Sequence, residues 1–91
     1  MLTRYWIEFK SDEPSDLPYG LSYGCGVTAF DFTDAIKIIQ DKIFKGNAPP
    51  EVKIKTDHID IQTLDAGHVL PNMNSPDKRG IWFPIGFQDN Y

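Results

Sequence analysis

Only one stretch of this 91-residue chain has the spacing of an amphipathic helix, and it spans residues 32–45. Its apolar residues recur every three or four positions and form one stripe: Phe32, Ala35, Ile36, Ile39 and Ile43. Asp31 is the predicted N-cap, with Thr33 as the alternative, and Asp34 lies where a capping-box side chain reaches back. A single helix can cover only one face of a sheet, which limits how this chain can fold.

Four strand-like segments surround the helix, two before it and two after it, over residues 4–10, 21–29, 52–61 and 80–87. The sequence therefore predicts an α+β fold in a single domain over residues 1–91. It would be a small antiparallel sheet of about four strands in the chain order ββαββ, with one helix packed on one face. Residues 11–19 hold two prolines and three acidic residues, which predicts an exposed loop.

The third segment changes phase along its length. Its apolar residues at 52 and 54 are even-numbered, whereas those at 59 and 61 are odd-numbered. One regular strand cannot place all four on the same face, because side chains alternate. A bulge or break near residues 56–58 would reconcile the two halves.

The first and fourth segments each carry a tryptophan on one face. In the fourth segment Trp82 lies opposite Ile81, Phe83 and Ile85, and Pro84 predicts an edge strand or a strand end because it lacks an N–H. Trp6 lies opposite the main apolar side of the first segment. Because the helix covers one face only, we expect Trp6 and Trp82 on the uncovered face, where they would form a contact surface for a protein partner.

The charge balance narrows the class of partner. Nine Lys and Arg residues against thirteen Asp and Glu residues give a formal net charge of −4. A nucleic-acid binder needs a basic face, so no nucleic-acid partner is expected. No segment resembles a membrane span or a secretory signal, so no membrane partner is expected either. The one cysteine cannot form an intrachain disulfide, which predicts a cytoplasmic protein.

Residues 63–84 concentrate polar side chains between the third and fourth segments. His68 could act as a base or a ligand, and Asp65, three residues earlier, could orient its ring or cap a turn. Asn72 and Arg79 could bind polar groups of a partner. One interpretation is a structured loop held by its own turn bonds.

The other interpretation is a polar site in which His68, Asp65 and Arg79 converge with Cys25 or His58. No nucleophile signature surrounds Cys25, so a small buried apolar residue is expected there. The flanking glycines at 24 and 26 predict a bulge or a close approach of the backbone. The chain has no CxxC, HxxxH or HExxH motif, so neither a metal nor a cofactor is predicted.

Four segments together resemble those of a group of short, functionally unassigned bacterial proteins. They are YWIEF at 5–9, GCGVTA at 24–29, LDAGHVLPNM at 64–73 and RGIWFP at 79–84. The resemblance covers nearly the whole chain and implies a small stand-alone protein. It implies no activity and no catalytic residue.

Two hypotheses of function follow. The first is a non-catalytic protein-interaction or regulatory module, for example of the immunity type that neutralises a toxin. A homo-oligomer through a sheet edge or face is a further candidate. The second is a small enzyme or ligand-binding protein with a polar site around His68 and Arg79. The small size, the acidic charge and the lack of a catalytic signature favour the first.

Overall fold

Four strands form one antiparallel sheet, and a single helix packs on one of its faces. The computed structural model describes residues 1–10 and 21–85. The elements are β1 (Thr3–Phe9), β2 (Cys25–Ala29), α1 (Phe32–Lys42), β3 (Val52–Asp57) and β4 (Gly80–Phe83). In space the strands follow the order β3-β1-β2-β4. The α+β class and the chain order ββαββ are confirmed, whereas the predicted loop 11–19 and the predicted strand residues 86–87 lie outside the described residues.

Asp31 caps α1 as predicted, because its side chain accepts the N–H of Asp34 at 2.8 Å. Asp34 in turn accepts the N–H of Phe30, one residue ahead of the cap, at 3.0 Å. The helix ends at Lys42, earlier than predicted, and the chain reverses at Gly46, which has a φ of +91°. The buried side of the helix packs against one sheet face through Ala35, Ile38, Ile39 and Ile43.

β3 is shorter than predicted and contains a bulge. His58 has a φ of +52°, and the strand ends just before it, at Asp57. This end confirms the break predicted near residues 56–58. A second irregularity lies at Lys53, where the register with β1 shifts by one residue. The shift allows Val52 to pack against the core on the helix side.

β4 is an edge strand, as predicted, and it also contains a bulge. Its register skips Trp82, because Val27 pairs with Ile81 and Gly26 pairs with Phe83. Ile81 packs under the helix, while Trp82 and Phe83 both lie on the opposite face. The expectation that Ile81 and Phe83 share a face is wrong, because the extra residue inverts the alternation.

The chain between β3 and β4, residues 58–79, crosses the face that the helix leaves open; we call it the crossing segment. It must traverse the sheet, since β3 and β4 lie at opposite edges. There it completes a second apolar cluster, whose buried members are Trp6, Val69, Trp82 and Phe83. Trp6 is 6% exposed and Trp82 is 1% exposed. The expectation of an uncovered face with exposed tryptophans is therefore wrong, because the crossing segment covers it.

Both tryptophan rings lie against glycine backbone. A Cβ atom at Gly24 would lie less than 3.0 Å from the ring of Trp6. A Cβ atom at Gly26 would lie less than 3.0 Å from the ring of Trp82. Real Cβ atoms do not approach this closely, so only glycine allows each ring its place. The close approach predicted at these two glycines is confirmed.

Candidate functional site

The crossing segment is fixed to the sheet close to the start of β4. The N–H of Asn74 donates to the carbonyl of Trp82 at 2.8 Å. The hydroxyl of Thr28, which is 2% exposed, donates to the carbonyl of Pro76 at 2.6 Å. Buried polar groups of this kind are costly to leave unpaired, so the two bonds hold this part of the segment in one place.

Arg79 binds the first turn of the helix. Its Nε donates to Asp34 Oδ2 at 2.9 Å and its Nη2 donates to Asp34 Oδ1 at 2.5 Å, a bidentate pair. The guanidinium also lies over the ring of Phe30, 5.4 Å from its centroid. The bond from Arg79 is the main reason that the pKa of the Asp34 carboxyl is lowered; burial opposes this effect, and the N–H of Phe30 adds to it.

Phe30 belongs to an apolar area at one end of the sheet. Phe30 is 61% exposed and Leu2 is 38% exposed. Thr3 and Ala29 are the last paired residues of β1 and β2, and Leu2 and Phe30 are the next residue on each chain segment. Leu2 and Phe30 therefore lie next to each other. A depression of about 300 Å³ lies next to Leu2 at the same end of the sheet and is also lined by Arg4, His58 and Ile59. We call these residues, together with Phe30 and Arg79, the sheet-end surface.

Asp65, His68 and Asn72 form a second polar cluster, within the crossing segment. Asp65 Oδ1 accepts the N–H groups of Gly67 at 2.7 Å and of His68 at 2.9 Å. The Nδ1 atom of His68 is 3.3 Å from both carboxylate oxygens of Asp65. The side-chain amide of Asn72 donates to the carbonyl of His68 at 2.9 Å. Asp65 thus caps a turn and contacts the imidazole, and its pKa is lowered mainly by the bond from Gly67.

The two clusters lie at opposite ends of β2. The ring of His68 stacks on Tyr23, just before this strand, with centroids 4.8 Å apart. Arg79 directly precedes Gly80, which pairs with Thr28 at the other end of β2. At the rise of an extended strand, this end is roughly 15 Å from Tyr23. Cys25 is fully buried on the helix side, and burial raises the pKa of its thiol. The structure therefore does not bring His68, Arg79 and Cys25 into one site.

Trp6 and Trp82 are core residues. Their ring centroids are 6.0 Å apart, and both rings lie beneath the crossing segment. The Nε1–H group of Trp82 is buried and has no hydrogen-bond partner among the residues that the structure describes. An N–H group in this position contributes nothing favourable to stability, so Trp82 is held by its shape.

Phe30 is the surface residue that the sequence analysis missed. It lies immediately before the N-cap and off the apolar stripe of the helix. A residue at this position commonly packs on the first turn of its own helix. Its exposure follows instead from the end of the β1–β2 pairing at Ala29, which local spacing does not report.

Comparison with protein families, with curated proteins and with solved structures gave no match to this chain. The resemblance to functionally unassigned bacterial proteins therefore stays a prediction. No group of three or more His, Cys, Asp or Glu residues within 1–10 and 21–85 is arranged to hold a metal ion. Over the same ranges, no helix has both the length and the apolarity needed to cross a membrane.

Proposed function

We propose that this protein is a non-catalytic protein-interaction module of the bacterial cytoplasm and that the sheet-end surface contacts its partner. The observation that carries this proposal is the Phe30–Arg79 pair. The Phe30 ring is largely exposed, and two hydrogen bonds to Asp34 fix the guanidinium above it. Aromatic residues and arginine dominate the centres of protein interfaces. Groups already ordered before binding lose less entropy on association.

The surroundings of this pair support a protein partner. The depression lined by Leu2, Arg4, His58 and Ile59 exposes mostly polar atoms and can accept a polar side chain of the partner. Arg4, which lines this depression, is paired with Asp77, so charged groups adjoin the apolar part of the surface. Such a surface suits a regulator or an immunity-type protein, which acts by covering a functional surface of its partner. The burial of the free thiol of Cys25 is consistent with a reducing compartment.

Photo-crosslinking tests which surface is used. A photoreactive phenylalanine analogue is placed at Phe30 and, as controls, at Tyr23 and Ile54, which are also exposed. Each protein is irradiated in lysate of the native host, and the products are identified by mass spectrometry. We expect one host protein, distinct from a second copy of this chain, to be captured from position 30 and not from the two control positions.

Binding of the purified partner then gives the size of the effect. Phe30→Ala should weaken binding by about 10-fold or more, the loss typical of an interface hot spot. Tyr23→Ala at the opposite end of β2 should leave binding unchanged. Equal binding by the two variants, or equal capture from all three positions, would remove the basis for this surface.

A ligand site at Asp65 and His68 is the second candidate. The contact between Asp65 and His68 Nδ1 orients the imidazole, and Tyr23 supports the ring by stacking. This favours recognition of a small acidic or hydroxylated ligand by the exposed imidazole of His68. NMR titration with small-molecule mixtures would show shifts at His68 that His68→Gln abolishes; unchanged His68 signals throughout would exclude the site.

A further inference from the structure

The two outer edges of the sheet are finished differently. β4 is a strand of four residues, and its residue Trp82 uses its carbonyl to accept the N–H of Asn74. Pro84, directly after β4, has no N–H to offer. β3 has six residues, and no other described strand pairs with its outer side. Of the two edges, β3 is the one able to receive another strand.

Two backbone bonds show which peptide groups of β3 point outward. The N–H of Lys10 donates to the carbonyl of Glu51 at 2.8 Å, and the carbonyl of Arg4 accepts an N–H just beyond β3 at 3.2 Å. Even-numbered residues of β1 therefore direct their peptide groups toward β3. Ile54 and Thr56 pair directly with even-numbered residues of β1, so the N–H and C=O groups of Ile54 and Thr56 point toward β1. The N–H and C=O groups of Lys55 and Asp57 consequently point away from the sheet.

The side chains of these two outward residues carry opposite charges. Lys55 Nζ lies 3.4 Å from Asp57 Oδ1 and 4.7 Å from the ring centroid of Phe32, so both charges are on the helix side of the sheet. Both side chains are more than a third exposed. A second β3 placed antiparallel about a two-fold axis at Thr56 would set each Lys55 directly opposite Asp57 of the other copy.

We propose that two copies of this chain associate through β3, with Thr56 on the two-fold axis and Lys55 paired with Asp57 of the second copy. This register joins outward N–H and C=O groups and forms a continuous eight-stranded sheet. The four charges then alternate in sign around the axis. The register centred on Lys55 instead would place two ammonium groups against each other. The proposal rests on β3 alone and does not depend on the sheet-end surface.

Disulfide trapping tests the register. Thr56 would face Thr56 of the second copy at a non-hydrogen-bonded position, where Cα atoms are about 4.5 Å apart, a distance that a disulfide spans. Under mild oxidation Thr56→Cys should form covalent dimers far faster than Ile54→Cys. In this register position 54 would face position 58 of the second copy, so the two cysteines of Ile54→Cys would be four positions apart. Cys25 is fully buried, so its thiol should not form a disulfide between two copies. Equal rates for the two variants would overturn the register.

Charge exchange tests the pairing independently. Sedimentation should show a concentration-dependent dimer, which Lys55→Asp or Asp57→Lys alone weakens by about 10-fold or more. The double variant carrying both changes should regain most of the association, because opposite charges again meet. Circular dichroism confirms that each variant is folded. A protein that stays monomeric at every concentration up to about 1 mM would overturn the proposal. Equal association of the two single variants and the double variant would overturn it as well. A monomer that binds an extended peptide at β3 would overturn it equally.

Discussion

The two faces of the sheet are covered by very different pieces of chain. On one face a regular helix supplies a row of buried aliphatic side chains, and the sheet meets it with Ile7, Val27 and the rings of Tyr5 and Phe9. On the other face the crossing segment supplies one fully buried side chain, Val69, and several half-buried ones. There the sheet itself provides the volume, through Trp6 and Trp82.

The difference shows how a sheet can be closed without a second helix. A helix presents a complete apolar stripe, so the strands below it share the packing among many side chains of different sizes. An irregular segment presents few apolar side chains, because its backbone polar groups need partners as well. Large rings from the sheet fill the gap, and glycines at 24 and 26 give those rings room. The loop-covered face therefore depends on a few specific residues, whereas the helix-covered face spreads its packing over many.

Truncation of Trp82 should have the largest effect. Trp82→Ala should lower the free energy of unfolding by about 4 kcal/mol, and Ile39→Ala under the helix by about 3 kcal/mol. Hydrogen exchange separates the two: the tryptophan variant should lose protection first at Asn74 and Val69, and the isoleucine variant first in the helix. Trp82→Phe should cost less, about 2 kcal/mol, because the lost N–H has no partner but the smaller ring leaves a cavity beside Gly26. If the first two variants lose protection in the same order, the two faces are not independent.

Gly26→Ala should cost nearly as much, about 3 kcal/mol in urea denaturation, because its methyl group would collide with the ring of Trp82. Gly46→Ala is the matched control. Gly46 has positive φ but open space around it, so only backbone strain of about 1 kcal/mol is expected. Equal losses for both would mean that Trp82 moves aside freely.

Thr28→Val should destabilise the protein by about 1–2 kcal/mol. The change keeps the shape of the side chain but removes the hydroxyl that donates to Pro76, leaving a part-buried carbonyl without this donor. Thr63→Val is the control, since its hydroxyl bonds locally to Asp60 on an exposed turn. Thermal unfolding of the two variants gives the comparison. Indistinguishable midpoints would show that the Thr28 bond does not hold the crossing segment.

Asp34→Asn should have the smallest effect, about 1 kcal/mol at neutral pH, because it weakens the pair with Arg79 and one charge at the helix start. The folded-state pKa of Asp34 is lowered, so its contribution is complete above the unfolded pKa of about 3.9. The contribution disappears as the pH falls through the lower folded pKa. Urea titrations of both proteins should therefore converge in strong acid; a constant difference would assign the loss to something other than charge.

Local features of the fold could be predicted from the sequence. The cap at Asp31, the helix stripe and the contact of Asp65 with His68 involve residues adjacent or a few positions apart. Chemistry and spacing fix such contacts before the chain folds. The break near His58 also followed from a change in the parity of apolar residues.

Features that depend on strand order could not be predicted. Because β3 and β4 pair at opposite edges, the crossing segment covers the tryptophans, yet no local pattern states which edge a strand takes. Arg79 contacts Asp34 and Phe30, and both lie more than forty residues away from it along the chain. The bulge at Trp82 depends on its pairing with β2, so it too was invisible along a single segment.

The position of β2 has a consequence for synthesis on the ribosome. Its neighbour β1 is made before it, whereas its other neighbour, β4, begins only at residue 80. Any folding intermediate in which β1 and β2 have paired but β4 has not therefore has an open edge at β2, with a bare strip of backbone at Gly26. Unpaired edges of this kind invite misassembly between neighbouring nascent chains. Pairing of β4 with β2 is therefore the step that removes this edge from solvent and from other chains.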